Sequence, residues 1–349
     1  MKFLDKLKIA VDSRSRVIAS DLKRLNDVQK DLADKACSYV MSGDNETVLS
    51  TVSTKCSGSE LEVCKGYLMH NSPSVNRRRM LAQDEPCDLE LAKRYTELLS
   101  ASCKDLPESA AGSAKANRLV RVFFSEAFEG VKRDSNRWPP KPVKISANGL
   151  SLETAKEMTA LLGGTVVDFV DVLYNEKNRY GSITGDLYRK VVDIKPLAQQ
   201  YASEFIEAGR RIHATSRARL IQDLHTFGLA DTPEYRGFVL DLAGDSSKAV
   251  REMAGSVLSA FDGQTLEPMA VELLSKGNVT MRAGMVELLA KMATESALDA
   301  LRDHREKEKT ARIVSAIDTA LTVSVHAHSD ESNEDSEDQY QAIDGSSVA

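Results

Sequence analysis

The chain has 349 residues, of which 42% are apolar, 28% charged and 5% aromatic, with nine prolines. That length suffices for two compact domains or one elongated solenoid, and the abundance of Ala, Leu, Glu, Lys and Arg favours helices over sheets, so the expected fold class is all-α. The net charge of -6 is localised: Asp330, Glu331, Glu334, Asp335, Glu337, Asp338 and Asp344 follow Leu321 with no Lys or Arg, which leaves the body near +1 and excludes a strongly basic nucleic-acid binder and an acidic mimic.

Residues 1–41 read as one long amphipathic helix, because Ile18, Leu22, Leu25, Leu32, Ala36 and Tyr39 follow a 4-3 spacing. The same spacing admits a coiled-coil seam and self-association. The opening MKFLDKLKIAVDSRSR interrupts its apolar positions with charges, unlike a signal peptide. Cys37, Cys56, Cys64, Cys87 and Cys103 are odd in number and contain no C-x-x-C pair, which fits neither a zinc site nor a disulfide framework. The longest weakly charged stretch, Ala160 to Val167, is far short of the about 20 residues a membrane span needs. A reducing, soluble compartment is expected, with the cytoplasm as the default.

An α-helical domain is expected over 42–137. In it, Asn71-Ser-Pro-Ser is a loop whose Pro73 suits a helix start. The triple arginine Arg77 to Arg79 spreads around the helix circumference, which predicts a solvated surface with one arginine in an ion pair. PESAAGSAKA at 107–116 is small and polar, and the helix carrying Val122, Phe123, Phe124 and Phe128 is expected in the core. Trp138-Pro-Pro-Lys-Pro forbids helix and marks a linker at 138–149.

A helical connecting region is expected over 150–214. Ser151 is a good N-cap, and Gly163-Gly164 reads as a helix C-cap, since the Lys-Ser/Thr of a phosphate loop is absent. The β-branched run from Thr165 to Leu173 keeps one helical face and is assigned as helix.

The specific signal lies at 215–322. Phe238-Val-Leu-Asp-Leu-Ala-Gly-Asp-Ser-Ser-Lys-Ala-Val-Arg-Glu-Met-Ala-Gly-Ser-Val-Leu aligns with Met269-Ala-Val-Glu-Leu-Leu-Ser-Lys-Gly-Asn-Val-Thr-Met-Arg-Ala-Gly-Met-Val-Glu-Leu-Leu at a shift of about 31. A third unit spans Ala297 to Leu321, with Arg312 in the arginine place, and a preceding one places Leu220, Ile221 and Leu224 in a second helix. Each unit is a hairpin whose apolar face can be buried only against its neighbours. Asp245-x-Ser-x-x-Val250-Arg251-x-x-Ala254-x-x-Val257-Leu258 resembles the short bacterial form of the HEAT repeat. The resemblance implies an α-solenoid in which the loop aspartate and the helix arginine brace successive units; Lys276 stands where Asp245 would repeat.

No H-E-x-x-H, G-x-S-x-G or calcium-loop motif occurs, so no catalytic, cofactor or metal residues are assigned. His326-x-His328 lies in a segment, 323–349, too acidic and polar to bury a core; solubility is its default role, with shielding of a basic groove and partner binding as others. The expected function is a non-catalytic scaffold or adaptor binding a protein partner through the solenoid surface, with Arg219, Lys248, Arg251 and Arg282 as partner-facing candidates. The alternative, which the resemblance also implies, is an enzyme or accessory of the HEAT-like lyase or DNA-glycosylase type. A lyase would need a cofactor-sized apolar cleft, and a glycosylase a basic face with aromatic and acidic residues at its centre.

Overall fold

The computed structural model describes residues 3–55, 72–82, 88–102, 117–131, 149–175 and 185–323, with side chains from Ser13 onward and, in the helix that opens at Ser72, from Asn76. Cys56, Cys64, Cys87 and Cys103, the stretch 107–116, Trp138 and its prolines, and the acidic segment with His326 and His328 lie outside these residues. All regular structure among the described residues is α-helical. The chain divides into two compact units, Met1–Ser216 and Arg217–Ala349.

The first unit contains α1 (Phe3–Leu22), α2 (Leu25–Val28), α3 (Leu32–Ser42), α4 (Val48–Lys55), α5 (Ser72–Ala82), α6 (Leu89–Ser102) and α7 (Arg118–Glu129). It continues with α8 (Leu152–Leu161), α9 (Val166–Asn175), α10 (Gly185–Val191), α11 (Lys195–Gln200) and α12 (Ala202–Arg211). The single helix expected over 1–41 is therefore broken into three. Asp31 turns the chain with a left-handed φ of 62°, and Asn26 Oδ1 accepts the Ala33 amide at 2.8 Å across the turn. With the chain folded back, α3 packs on α1, and α6 packs on α3 and α4. Ile18, Leu22, Leu25, Leu32, Ala36 and Tyr39 all join one buried cluster. The proposed coiled-coil seam is thus consumed inside the chain, and these residues offer no surface for self-association.

Beneath that cluster lies a buried charge network. Arg77 on α5 donates from Nη1 to Asp21 Oδ2 at 2.5 Å and from Nη2 to Glu126 Oε2 at 2.7 Å. Tyr95 on α6 donates to the same Asp21 oxygen, and Arg78 Nε reaches Glu126 at 3.0 Å. The expectation of a solvated triple arginine with one ion pair is corrected, since Arg77 is fully buried and two of the three arginines share Glu126. Burial works against both carboxylates, but Arg77 and Arg78 outweigh it at Glu126, whose pKa falls below the ordinary value. At Asp21 burial outweighs Arg77 and the Tyr95 hydroxyl, and the pKa rises.

The phenylalanines of α7 form the second core, with Phe124 at 4.7 Å from Phe169 and Phe128 at 5.0 Å from Tyr188, between ring centroids. Asn117 caps α7 by accepting from Leu119 N at 2.9 Å, and Ser151 caps α8 by accepting from Thr154 N at 3.1 Å. Gly163 takes a φ of 73° just beyond α8, the left-handed conformation of a C-cap. The β-branched run is helix α9, buried on α7 and α12.

The second unit is a stack of hairpins. Into it runs α13 (Ala214–Thr226), followed by α14 (Pro233–Leu242), α15 (Lys248–Leu258), α16 (Gly263–Lys276), α17 (Val279–Met292), α18 (Glu295–Lys307) and α19 (311–323). Within hairpins α14 packs on α15 and α16 on α17; between hairpins α15 packs on α17 and α16 on α18. That alternation of like with like is what stacking imposes on a repeat that cannot bury its own apolar face. Val250, Ala254, Val257 and Leu258 on α15, and Met285, Val286, Leu288 and Leu289 on α17, are buried accordingly.

Candidate partner interface

The loops between the two helices of each hairpin set the geometry of the array. Asp245 stands two residues before Ser247, the N-cap of α15, and its Oδ1 accepts the Ser247 amide at 2.7 Å. Glu308 stands two residues before Thr310, at the start of α19, and accepts the Thr310 amide at 2.8 Å. Each of these acids receives an arginine from the preceding hairpin. Arg217 Nε lies 3.0 Å from Asp245 Oδ2, and Arg282 Nε donates to Glu308 Oε2 at 2.8 Å. Burial raises the Glu308 pKa, but the Thr310 amide and hydroxyl, Arg282 and His304 together bring it down to about 2.

The equivalent place before Asn278, the N-cap of α17, is Lys276. No acid there meets Arg251, which instead donates from Nη1 to its own loop, to the Asp245 carbonyl at 2.8 Å and the Ser246 carbonyl at 3.0 Å. Arg282 makes the same inward bond to the Gly277 carbonyl at 2.8 Å, in addition to its rung. The ladder is thus made at its first and third rungs and missing at its second. Where it is missing, Gly284 compensates: a Cβ there would fall inside contact distance of the Ala243 carbonyl, so only glycine lets α17 approach the preceding hairpin so closely.

Above this joint, α15 and α17 enclose a groove of about 220 Å³. Ala243, Gly255, Leu258, Gly284 and Leu288 form its floor, and Lys248, Arg251, Glu252, Glu287 and Lys291 form its walls. Lys248 and Glu252 pair at 3.5 Å, whereas Arg251 and Lys291 have no carboxylate partner among the described residues. The lining holds no aromatic side chain. A second hollow of about 370 Å³ lies in the first unit between α8 and α9, where Lys156 is paired with Glu153 at 3.1 Å.

Of the four partner-facing candidates, Lys248 and Arg251 line the groove together, Arg219 is exposed on α13 outside it, and Arg282 is taken up by Glu308. Sequence reasoning missed Arg217, because the loop after α13 is longer and moves its repeat distance to Arg251 from 31 to 34 residues. Counting from the helix cap finds it: Arg217, Arg251 and Arg282 each lie four residues after the cap position. The same count assigns that place in the last hairpin to Val314 and corrects Arg312, which is exposed two residues earlier.

These features define a stack of helical hairpins braced through loop acids and helix arginines. Residues 224–321 match the family model of HEAT repeats, so the array is a HEAT-like repeat segment within an all-α protein. No curated protein and no solved structure matches the chain. Among the described residues no helix is long and apolar enough to cross a membrane, and no group of three or more His, Cys, Asp or Glu is placed to hold a metal.

Proposed function

We infer that the protein is a non-catalytic scaffold or adaptor that holds a protein partner on the face made by the second helices of the array. The carrying observation is the α15–α17 groove, which is small, floored by small and apolar residues and walled by charged side chains from two adjacent hairpins. Its volume falls below the about 300 Å³ at which pockets begin to enclose small ligands, while an apolar floor with a charged rim suits a protein surface. HEAT repeats commonly mediate such contacts, and a stacked array presents them on a continuous face.

Affinity capture with the intact chain tests this reading. Arg219→Glu and Lys248→Glu, separately and together, are expected to deplete a common set of captured proteins, because each reverses an exposed charge on a second helix of the array. Capture indifferent to both would move the binding face elsewhere.

A further inference from the structure

Two observations converge on the missing second rung. The loop place before α17 that should carry an acid carries Lys276, which is exposed and paired with Glu272 at 2.8 Å on its own helix. Arg251, the arginine that such an acid would meet, faces the groove with no carboxylate partner among the described residues. Lys291 of α17 extends toward α15, its Nζ 3.9 Å from where a Cβ on Gly255 would stand. Lys248 and Glu252 satisfy one another, so the remaining wall charges are Arg251 and Lys291 against Glu287. The groove is therefore a cationic slot that lacks one carboxylate.

The same chain carries a dense supply of carboxylates. Residues 324–349 hold seven acids and no Lys or Arg, six of the acids within 330–338, and they follow directly on α19 in the same unit. At about 3.5 Å per residue, the acids within 330–338 reach about 25–50 Å beyond Val323. Packed helices lie about 10 Å apart, so the groove is well within range. A tether of this kind supplies an effective concentration on the order of millimolar, enough for weak, charge-based docking to be populated.

We propose that the α15–α17 groove receives the chain's own acidic segment, residues 324–349, with a carboxylate of that segment giving Arg251, within the groove, the partner that Lys276 does not supply. This rests on reading the second-helix face as the recognition surface, and it makes that face self-occupied until an acidic partner displaces the segment. Gly255 makes the groove testable without disturbing the stack, because a side chain there meets only the tip of Lys291.

The experiment is zero-length carbodiimide coupling on the intact chain, read by mass spectrometry. Amide links from Lys248 and Lys291 to acids within 330–338 are expected severalfold above those from Lys276, Lys307 and Lys309, which lie outside the groove. Gly255→Glu is expected to abolish the Lys291 links with no loss of thermal stability, and raising salt from about 0.05 M to about 0.5 M is expected to suppress them. Links spread evenly over all five lysines, or unchanged by Gly255→Glu, would overturn the proposal. Capture assays separate it from the scaffold reading. If groove links are absent while capture still responds to Lys248→Glu, the self-occupied groove is wrong and the scaffold stands. If groove links form while capture ignores Lys248→Glu, the docked segment stands and the partner face lies elsewhere.

Discussion

Arg77 is the side chain on which the first unit most depends. It is fully buried between Asp21 and Glu126, so its removal takes the cation from buried Asp21 and leaves buried Glu126 to Arg78. Breaking a buried pair from one side costs about 3–5 kcal/mol. Arg77→Met is expected to destabilise the chain by that amount in urea titration, whereas Arg78→Met, at a partly exposed site, should cost about 1 kcal/mol. Glu308 gives a pH signature in the other unit. Its pKa is lowered from 4.5 to about 2 in the folded chain, so its contribution is fully present above pH 4.5 and is lost as pH falls toward 2. The melting temperatures of the native chain and Glu308→Gln should therefore differ at pH 7 and converge as pH approaches 2. None of this was visible in sequence: the arginine run gave no sign of which member turns inward, because that depends on Asp21 and Glu126, 56 and 49 residues away.

Individual helices were more legible. The array could be read because stacking repeats the same burial at the same spacing, and local sequence carries the whole pattern. The break in the first helix could not, since Asp31 turns the chain while leaving Ile18 to Tyr39 in one cluster; the apolar spacing is the same on either side of the turn. The two glycines near the groove make opposite predictions that spacing alone would not distinguish. Gly284→Ala would press a methyl group into the Ala243 carbonyl and is expected to cost about 1–3 kcal/mol. Gly255→Ala, whose Cβ meets only the end of Lys291, is expected to gain up to about 1 kcal/mol from helix propensity. Thermal unfolding of the two variants under one buffer checks both signs. Of the candidate site, Lys248 and Arg251 were found in sequence because they lie in the aligned repeat; Lys291 and Glu287 were not, because they face them only after the hairpins stack.

For the whole molecule, the folded-back α1–α3 segment has a direct consequence. A chain beginning at Asn45 would lose Asp21 from beneath Arg77 and Tyr95, together with Ile18, Leu22, Leu25, Leu32, Ala36 and Tyr39 from the core. Its circular dichroism should show helix lost beyond the residues removed, a result that dissociation of a self-associating segment would not produce. The second unit, whose stability sums over neighbouring hairpins, should respond to changes one joint at a time.

The missing rung also divides those joints by the kind of force that closes them. The joints made by Arg217 with Asp245 and by Arg282 with Glu308 have an electrostatic component that salt screens, and the second also weakens as acid neutralises Glu308. The joint at Gly284 is closed by backbone fitting against backbone, which neither salt nor acid reaches. Changing the solvent should therefore reorder which part of the array opens first. At low salt the unbraced middle joint is the weakest link by charge, and in strong salt it becomes the one that holds while its neighbours fray.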